Sequence, residues 1–329
     1  MRSIRRILVA IRDYEARTTP ALNKAAQLAL AFGARLELFH GISSPLYVDG
    51  YGVSDVELPR LENATRTRIL TRLEKMAAKL RTQGVEASVA AEWDFPAYEA
   101  VIRRAGKINA DLIVADQHDG RHRAAGLLHL TDWELLRLSP VPVLLVKTPG
   151  TYRRPVLLAA LDPAHSFSKP ARLDRRILAA ATTFTRALRG TQHALYAYAP
   201  FPFAAAPETM VDPVAVEKLQ ADAAASAVKL LDRALHTSRL PKAHRHVVGR
   251  SAADAIAQTA EELHSSIVVM GAVSRSGLKR LFIGNTAERT LDLLSCDVLI
   301  IKPAQFANRL PRGRRGPRVV TYSSTVLPL

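Results

Sequence analysis

The chain has 329 residues, of which 48% are hydrophobic and 23% charged, a composition typical of globular domains and not of disordered, collagen-like or coiled-coil chains. At about 100–200 residues per domain, this length predicts two domains. Lys and Arg outnumber Asp and Glu by 46 to 30, and the net charge of +16 favours encounters with phosphates and other polyanions.

The expected location is cytoplasmic, and no membrane insertion is expected. No apolar run of the sequence reaches the roughly 20 residues that a membrane-spanning helix needs. The basic N-terminus is followed by a short apolar stretch that runs into Arg12, which argues against a signal peptide. Cys296 is the single cysteine of the chain, so an intramolecular disulfide and a zinc site built from several cysteines are both excluded.

In chain order, the first half of the sequence alternates strands and helices. Continuous apolar runs predict buried strands, and longer segments with spaced apolar residues predict helices. The predicted strands are Ile7–Ile11, Arg35–His40, Val85–Ala91, Leu112–Ala115 and Val143–Lys147. The predicted helices are Pro20–Phe32, Val56–Thr82, one that begins at Pro96 and a short one before the last strand.

The second half repeats this pattern. Arg5–Asp13 aligns without gaps on Arg154–Asp162, and Val143–Lys147 aligns on Val298–Lys302. A repeat of about 150 residues is too long for a solenoid unit and predicts two copies of one domain. Because apolar strands alternate with amphipathic helices, we expect α/β domains that are doubly wound (Rossmann-like), each with a five-stranded parallel sheet.

The repeat also predicts the domain boundaries. We expect the first domain over residues 1–148 and the second over residues 154–303, joined near Pro149 and Gly150, a pair that breaks regular structure. Residues 304–329 carry five arginines and no acidic residue, and we expect them to form a basic, flexible tail.

Candidate sites lie where the first and fourth strands of each copy end. In doubly wound sheets, ligands bind beyond the carboxyl ends of the strands, at the point where the strand order reverses. The first and fourth strands adjoin that point. They end at Asp13 and Asp116 in the first copy, and at Asp162 and Gly271 in the second.

The segment after Gly271 has the features of an anion site. Gly271 lets the backbone come close to a ligand. Gly284, Asn285 and Thr286 open a helix, whose N-terminus presents unpaired N–H groups and a partial positive charge. Three basic residues of the intervening loop add positive charge: Arg275, Lys279 and Arg280.

This segment resembles the nucleotide-binding motif of the universal stress proteins. That motif contains three glycines. Two residues lie between the first glycine and the second, nine lie between the second and the third, and a Ser or Thr directly follows the third. Gly271, Ser274 and Gly284 take the three glycine positions, and Asn285 takes the hydroxyl position. The spacing matches throughout, whereas Ser274 and Asn285 depart in identity. Asp162 matches the aspartate that ends the first strand of the family.

The resemblance covers about residues 3–306 and is closest to the tandem-domain branch of the family. It implies a cofactor-binding set in the second copy: Asp162, Pro163, Gly271, Ser274, Gly284, Asn285 and Thr286. The implied ligand is ATP with Mg, another nucleotide or another phosphorylated metabolite. Family members act as stress-response binding and signalling modules without strong catalysis, so the resemblance implies no catalytic residues. It also implies partner proteins and a pseudo-dimer of the two domains, and leaves further homodimerisation open.

The first copy departs further from the motif. Asp116 replaces the first glycine and His129 the last. Because a carboxylate repels phosphate, we predict that the first copy does not bind nucleotide in the manner of the family. His118 and His122 lie in the same segment, which we interpret as a solvated loop rather than a metal site.

Other interpretations stay open. The net charge and the basic tail suit a protein that binds RNA or DNA, although such tails are more often solvated extensions. A weak ATP hydrolase would need a general base, and Asp162 is the only carboxylate that we expect near the ligand. Gly271 and Gly284 could also be turn residues alone, and Asp162 a turn former before Pro163.

Overall fold

The structure, a computed structural model, describes residues 3–49, 57–117, 130–164, 172–199, 213–272, 285–306, 310–311 and 313–322. Its internal contacts divide the chain into two units. One unit consists of residues 2–151 together with residues 307–329, and the other contains residues 152–306. Among the described residues, no helix combines the length and the apolar character that crossing a membrane requires.

The first unit is built on a parallel sheet. Its strands are β1 (Arg6–Ala10), β2 (Arg35–Ile42), β3 (Leu46–Asp49), β4 (Ala87–Trp93), β5 (Leu112–Asp116) and β6 (Val143–Val146). Its helices are α1 (Pro20–Phe32), α2 (Glu57–Thr82), α3 (Ala97–Lys107) and α4 (Leu130–Leu138). Five of the strands pair in the order β4-β2-β1-β5-β6, so the strand order reverses between β1 and β5.

The second unit repeats this arrangement. Its strands are β7 (Val156–Leu161), β8 (Thr191–Tyr198), β9 (Arg245–Gly249), β10 (Ile267–Gly271) and β11 (Asp297–Ile301). Its helices are α5 (Leu173–Leu188), α6 (Pro213–Ala234), α7 (Ala252–Glu262) and α8 (Asn285–Leu293). The strands pair in parallel in the order β11-β10-β7-β8-β9, and the order reverses between β7 and β10. The prediction of two tandem α/β domains with five-stranded parallel sheets is therefore confirmed.

The sequence determines these elements by burial and capping. Leu8 and Val9 in β1 and Val268 and Val269 in β10 are fully buried, as expected for central strands covered on both faces. At the start of α1, the Thr19 side chain accepts a hydrogen bond from the Leu22 N–H at 3.2 Å.

The C-terminal segment contributes a strand to the first unit. β12 (Val319–Tyr322) pairs in parallel with β3. The N–H of Leu46 donates to the carbonyl of Arg318 at 2.7 Å. Residues 304–329 were expected to form a flexible tail, whereas residues 319–322 of this segment pair with β3 of the first repeat.

Tyr152 anchors the start of the second unit. It follows Gly150, whose φ of 79° favours glycine. The Tyr152 hydroxyl is buried and donates a hydrogen bond to the Asp297 carboxylate at 2.5 Å. Burial, and then the charge of Asp297, raise the pKa of Tyr152 well above its ordinary value, so the hydroxyl keeps its proton.

We expect the substitution Tyr152→Phe to lower the free energy of unfolding by about 1–3 kcal/mol, because it removes a donor from a buried carboxylate. Denaturant unfolding followed by circular dichroism measures the change. Tyr14→Phe, at a half-buried tyrosine of the first repeat, removes the same atom and is the matched control. An equal loss in both variants would contradict a special role for the buried pair.

Candidate functional site

The strand pairing of the second repeat brings Asp162 and Gly271 to one edge of the sheet. β7 and β10 are neighbours, with Ile267 opposite Leu157 and Val269 opposite Ala159. Continued by two residues, this register sets Gly271 beside the residue before Asp162. Both residues therefore lie at the carboxyl edge where the strand order reverses, which is the usual ligand position of a doubly wound sheet.

Acidic groups occupy the β7 side of this edge. The backbone N–H of Asp162 donates to Asp174 Oδ1, in the first turn of α5, at 3.2 Å. Asp174 is buried. Tyr196 in β8 lies near Asp162: burial, and then the charge of Asp162, raise the pKa of Tyr196. Carboxylates accept hydrogen bonds from hydroxyl groups and repel phosphates, so this side suits the hydroxyl groups of a ligand.

Gly271 is required by the packing of α5. A Cβ atom at this position would lie 2.8 Å from Leu173 Cδ2 and 3.2 Å from Ile177 Cδ1, closer than carbon atoms normally approach. Leu173 and Ile177 are fully buried and have little room to move. Packing against α5 therefore accounts for a glycine at position 271, whether or not a ligand binds there.

Asp116 fills the corresponding position of the first repeat. Its Oδ1 atom accepts a hydrogen bond from the N–H of Ala21, in the first turn of α1, at 2.7 Å. Burial raises the pKa of Asp116, and hydrogen bonds from Thr19 and Ala21 oppose that shift. A carboxylate of this chain thus occupies the N-terminus of α1, where the helix favours negative charge.

At the contact between the strand end and the first helix, each repeat combines one small residue with one larger residue. α1 and α5 both end at a residue with positive φ, Gly33 at 62° and Arg189 at 54°, and aligning these ends makes Ala21 equivalent to Ile177. The small Ala21 leaves space for the Asp116 side chain. The larger Ile177, together with Leu173, would crowd a Cβ atom at position 271.

The other predicted site residues are described in part or not at all. Pro163 follows Asp162 in a turn. Asn285 and Thr286 are the first two residues of α8, and their side chains are not described. Ser274 and Gly284 lie outside the described residues, as do the three loop histidines of the first copy: His118, His122 and His129.

A group of three histidines was missed by the sequence analysis. His193, in β8, lies with its ring stacked on those of His244 and His246, at centroid distances of 4.2 and 5.2 Å. His193 Nδ1 is 3.0 Å from His246 Nε2. The group lies near the amino ends of β8 and β9, opposite the candidate edge. Across the described parts of the chain, no set of three or more His, Cys, Asp and Glu side chains is suited to hold a metal ion.

Only a weak signal marked these histidines in the sequence. His244 and His246 are two residues apart, at the end of a 3-10 turn and near the start of β9, but their partner His193 lies about fifty positions away. Burial, together with His244 and His246, lowers the pKa of His193 to about 4, and burial lowers the pKa of His246 as well. The rings of His193 and His246 are therefore neutral at neutral pH.

These pKa shifts predict a loss of stability in mild acid. A histidine whose pKa is lower in the folded state than the ordinary value near 6.5 stabilises the fold above about pH 6.5, and loses that contribution as the pH falls toward 4. The melting temperature should drop over this range, and His193→Gln should remove about 2–4 °C of the drop. His236→Gln, at an exposed histidine of the same repeat, should leave it unchanged. Identical pH profiles for wild type and His193→Gln would contradict the interpretation.

The contact at Gly271 predicts a second stability change. Gly271→Ala should lower the free energy of unfolding by about 1–3 kcal/mol, because Leu173 must shift in a packed core. Gly106→Ala is the control, since a Cβ atom at Gly106 in α3 would meet nothing within 4 Å. Thermal and urea unfolding of both variants measure the effect, and an unaffected Gly271→Ala would show that α5 has space to spare.

Comparisons with known proteins agree with this arrangement. The sequence pattern of the universal stress protein family matches residues 3–147 and 171–302. Universal stress protein E of Escherichia coli K12 is 28% identical over 298 residues, which are 87% of this chain and 90% of the relative. Universal stress protein E of Photorhabdus laumondii is 26% identical over 93% of this chain and 97% of its own.

Solved structures show the same fold. A putative universal stress protein from Pseudomonas aeruginosa UCBPP-PA14 superposes with a TM-score of 0.68 at 24% identity, covering 92% of this chain and 95% of its own. A universal stress protein from Archaeoglobus fulgidus gives a TM-score of 0.58 at 16% identity, with coverage of 92% and 99%. Since the family pattern matches both repeats and most of the residues, the chain belongs to the universal stress protein family.

Proposed function

We propose that the second repeat binds a nucleotide or another phosphorylated metabolite at the carboxyl edge of β7 and β10. The observation that carries the proposal is the difference between the two repeats at this position. In the first repeat, the Asp116 carboxylate occupies the edge and is bonded to α1. In the second, Gly271 adds no side chain and no charge at the equivalent point.

The charges around the second edge favour one orientation of such a ligand. The side of β7 carries the carboxylates of Asp162 and Asp174, which suit the hydroxyl groups of a ribose or another sugar. The side of β10 leads into the basic segment that contains Arg275, Lys279 and Arg280, and then into the N-terminus of α8. Phosphate groups are favoured there by positive charge and by the helix dipole.

The proposed role is binding and signalling in the stress response, without catalysis. ATP with Mg is the ligand that the family motif implies. It is the first ligand to test because Ser274 and Asn285 depart from that motif in identity. In this proposal the ligand changes a surface that partner proteins recognise in the cytoplasm. The packing of the two repeats as a pseudo-dimer, and any homodimer, stay predictions of the sequence.

The alternative of a dedicated nucleic-acid arm receives less support. Arg314 lies 3.5 Å from Glu92, and Arg315 lies 3.0 Å from Glu99. Arg315 is paired with a buried carboxylate of the first repeat, whereas Glu92 is shared by Arg314, Arg104 and Lys107. The sequence charge therefore overstates the positive charge that Arg315 offers to a polyanion while the tail is attached.

Native mass spectrometry and calorimetric titration with MgATP test the proposal. We expect one nucleotide per chain. Gly284→Asp adds a carboxylate to the motif of the second repeat and should weaken binding at least about tenfold, or about 1.4 kcal/mol. His129→Asp adds the same charge at the equivalent position of the first repeat and should have little effect.

Three results would contradict the proposal or part of it. A chain that ignores ATP, ADP, AMP and nucleotide sugars would exclude nucleotide binding. Equal losses in Gly284→Asp and His129→Asp would remove the assignment to the second repeat. Turnover of ATP that Asp162→Asn abolishes would make the protein a hydrolase and not a binding module.

A further inference from the structure

The C-terminal segment passes over the carboxyl ends of two strands of the first repeat. We call residues 310–322 the strap, of which the structure describes 310–311 and 313–322. Its strand β12 pairs with β3, which follows β2. Its Arg315 contacts Asp94, which follows β4 and donates its N–H to the Ile42 carbonyl at the end of β2, at 3.2 Å.

Arg315 makes the densest set of contacts between the strap and the repeat. Its N–H donates to Asp94 Oδ1 at 3.1 Å, and its guanidinium donates to Glu99 Oε1 at 3.0 Å. The guanidinium carbon lies 5.6 Å from the centre of the Phe95 ring, within the range of a cation–π interaction. Nearby, the carbonyl of Pro311 accepts a hydrogen bond from Arg103 at 3.2 Å.

The buried charges at this point require a second cation. Asp94 and Glu99 are 1% and 5% exposed. Arg103 is bidentate to Asp94, with both distances at 2.7 Å, and lies 2.9 Å from Glu99. Two carboxylates and one guanidinium leave a net charge of −1. A buried charge without compensation is strongly unfavourable, and Arg315 supplies the missing positive charge.

The other attachments of the strap are weak. β3 and β12 have four residues each and form a two-stranded sheet, which is marginally stable alone. Arg314 is 56% exposed, and its ion pair with Glu92 has a distance of 3.5 Å, so it contributes little. The acidic side of the Arg315 contact is buried, whereas the Arg315 side chain is 44% exposed. The attachment of the strap therefore depends chiefly on Arg315, and we expect the strap to open locally when that contact breaks.

We propose that the strap is a reversible closing device fastened by Arg315, and that it withholds Arg314 and Arg315 from phosphodiester polymers. When closed, the strap directs Arg314 and Arg315 toward Glu92, Asp94 and Glu99. When open, it is a basic arm for single-stranded RNA, whose affinity comes from neutralised phosphates. This regulation does not depend on ligand binding by the second repeat.

Hydrogen exchange on the full chain tests the fastening. We expect Arg315→Ala to speed amide exchange at least about tenfold in peptides that contain β3 and β12, since the strap opens locally. Arg315→Lys, which keeps the charge but not the planar fork, should show an intermediate increase. Arg314→Ala is the matched control and should change exchange little. Equal effects of Arg314→Ala and Arg315→Ala, or an equal increase in β1 and β5, would overturn the proposal.

RNA binding tests the consequence, because the expected sign is opposite to that of simple charge loss. With a labelled oligouridine at low salt, Arg315→Ala should bind about threefold to tenfold more tightly than wild type, although it has lost a positive charge. Arg314→Ala should bind more weakly, as the loss of one phosphate contact requires. Weaker or unchanged binding by Arg315→Ala would overturn the proposal, since a purely structural contact gives no gain in affinity.

Discussion

The end of β5 faces the first turn of α1, the end of β10 faces the start of α5, and a side chain at either strand end must fit beside that helix. The space at this contact is small because both partners belong to a closely packed core. In the first repeat, Ala21 admits the Asp116 carboxylate. In the second, a side chain at position 271 would crowd Leu173 and Ile177, which must then shift within a packed core. This steric constraint determines which edge carries a fixed negative charge and which edge is left without one.

The same constraint gives the two repeats different carboxyl edges on one fold. In the first repeat, acidic residues at the carboxyl edge are committed to the chain itself, with Asp116 bonded to α1 and Asp94 bonded to Arg103 and Arg315. In the second repeat, the corresponding edge has a glycine and leads into a basic segment. Under the proposed function, a duplicated domain keeps a ligand position in one copy while the other copy uses the equivalent surface for internal contacts.

Local signals predicted much of the fold, and contacts between distant residues account for what was missed. The bounds of α1 agree with the prediction because Thr19 and Gly33 cap its two ends. β3 and β12 were not predicted, since each has four residues and each is stabilised by a partner far along the chain. Of the candidate site, the sequence indicated the edge shared by Asp162 and Gly271, but the packing that requires Gly271 depends on α5, a contact that no pattern within the motif encodes.

Net charge illustrates the same limit, because a sum over the sequence does not separate exposed charges from paired ones. Arg103 is almost completely buried between two carboxylates, and Arg104 donates to Glu37 and Glu92. Arg315 completes the buried group from a position 216 residues after Glu99. Part of the excess of +16 lies in a tail of which one arginine, Arg315, is paired with a buried carboxylate while the tail is attached. The positive charge available to a polyanion is therefore a property of the conformation, and it changes when a single guanidinium leaves two buried carboxylates.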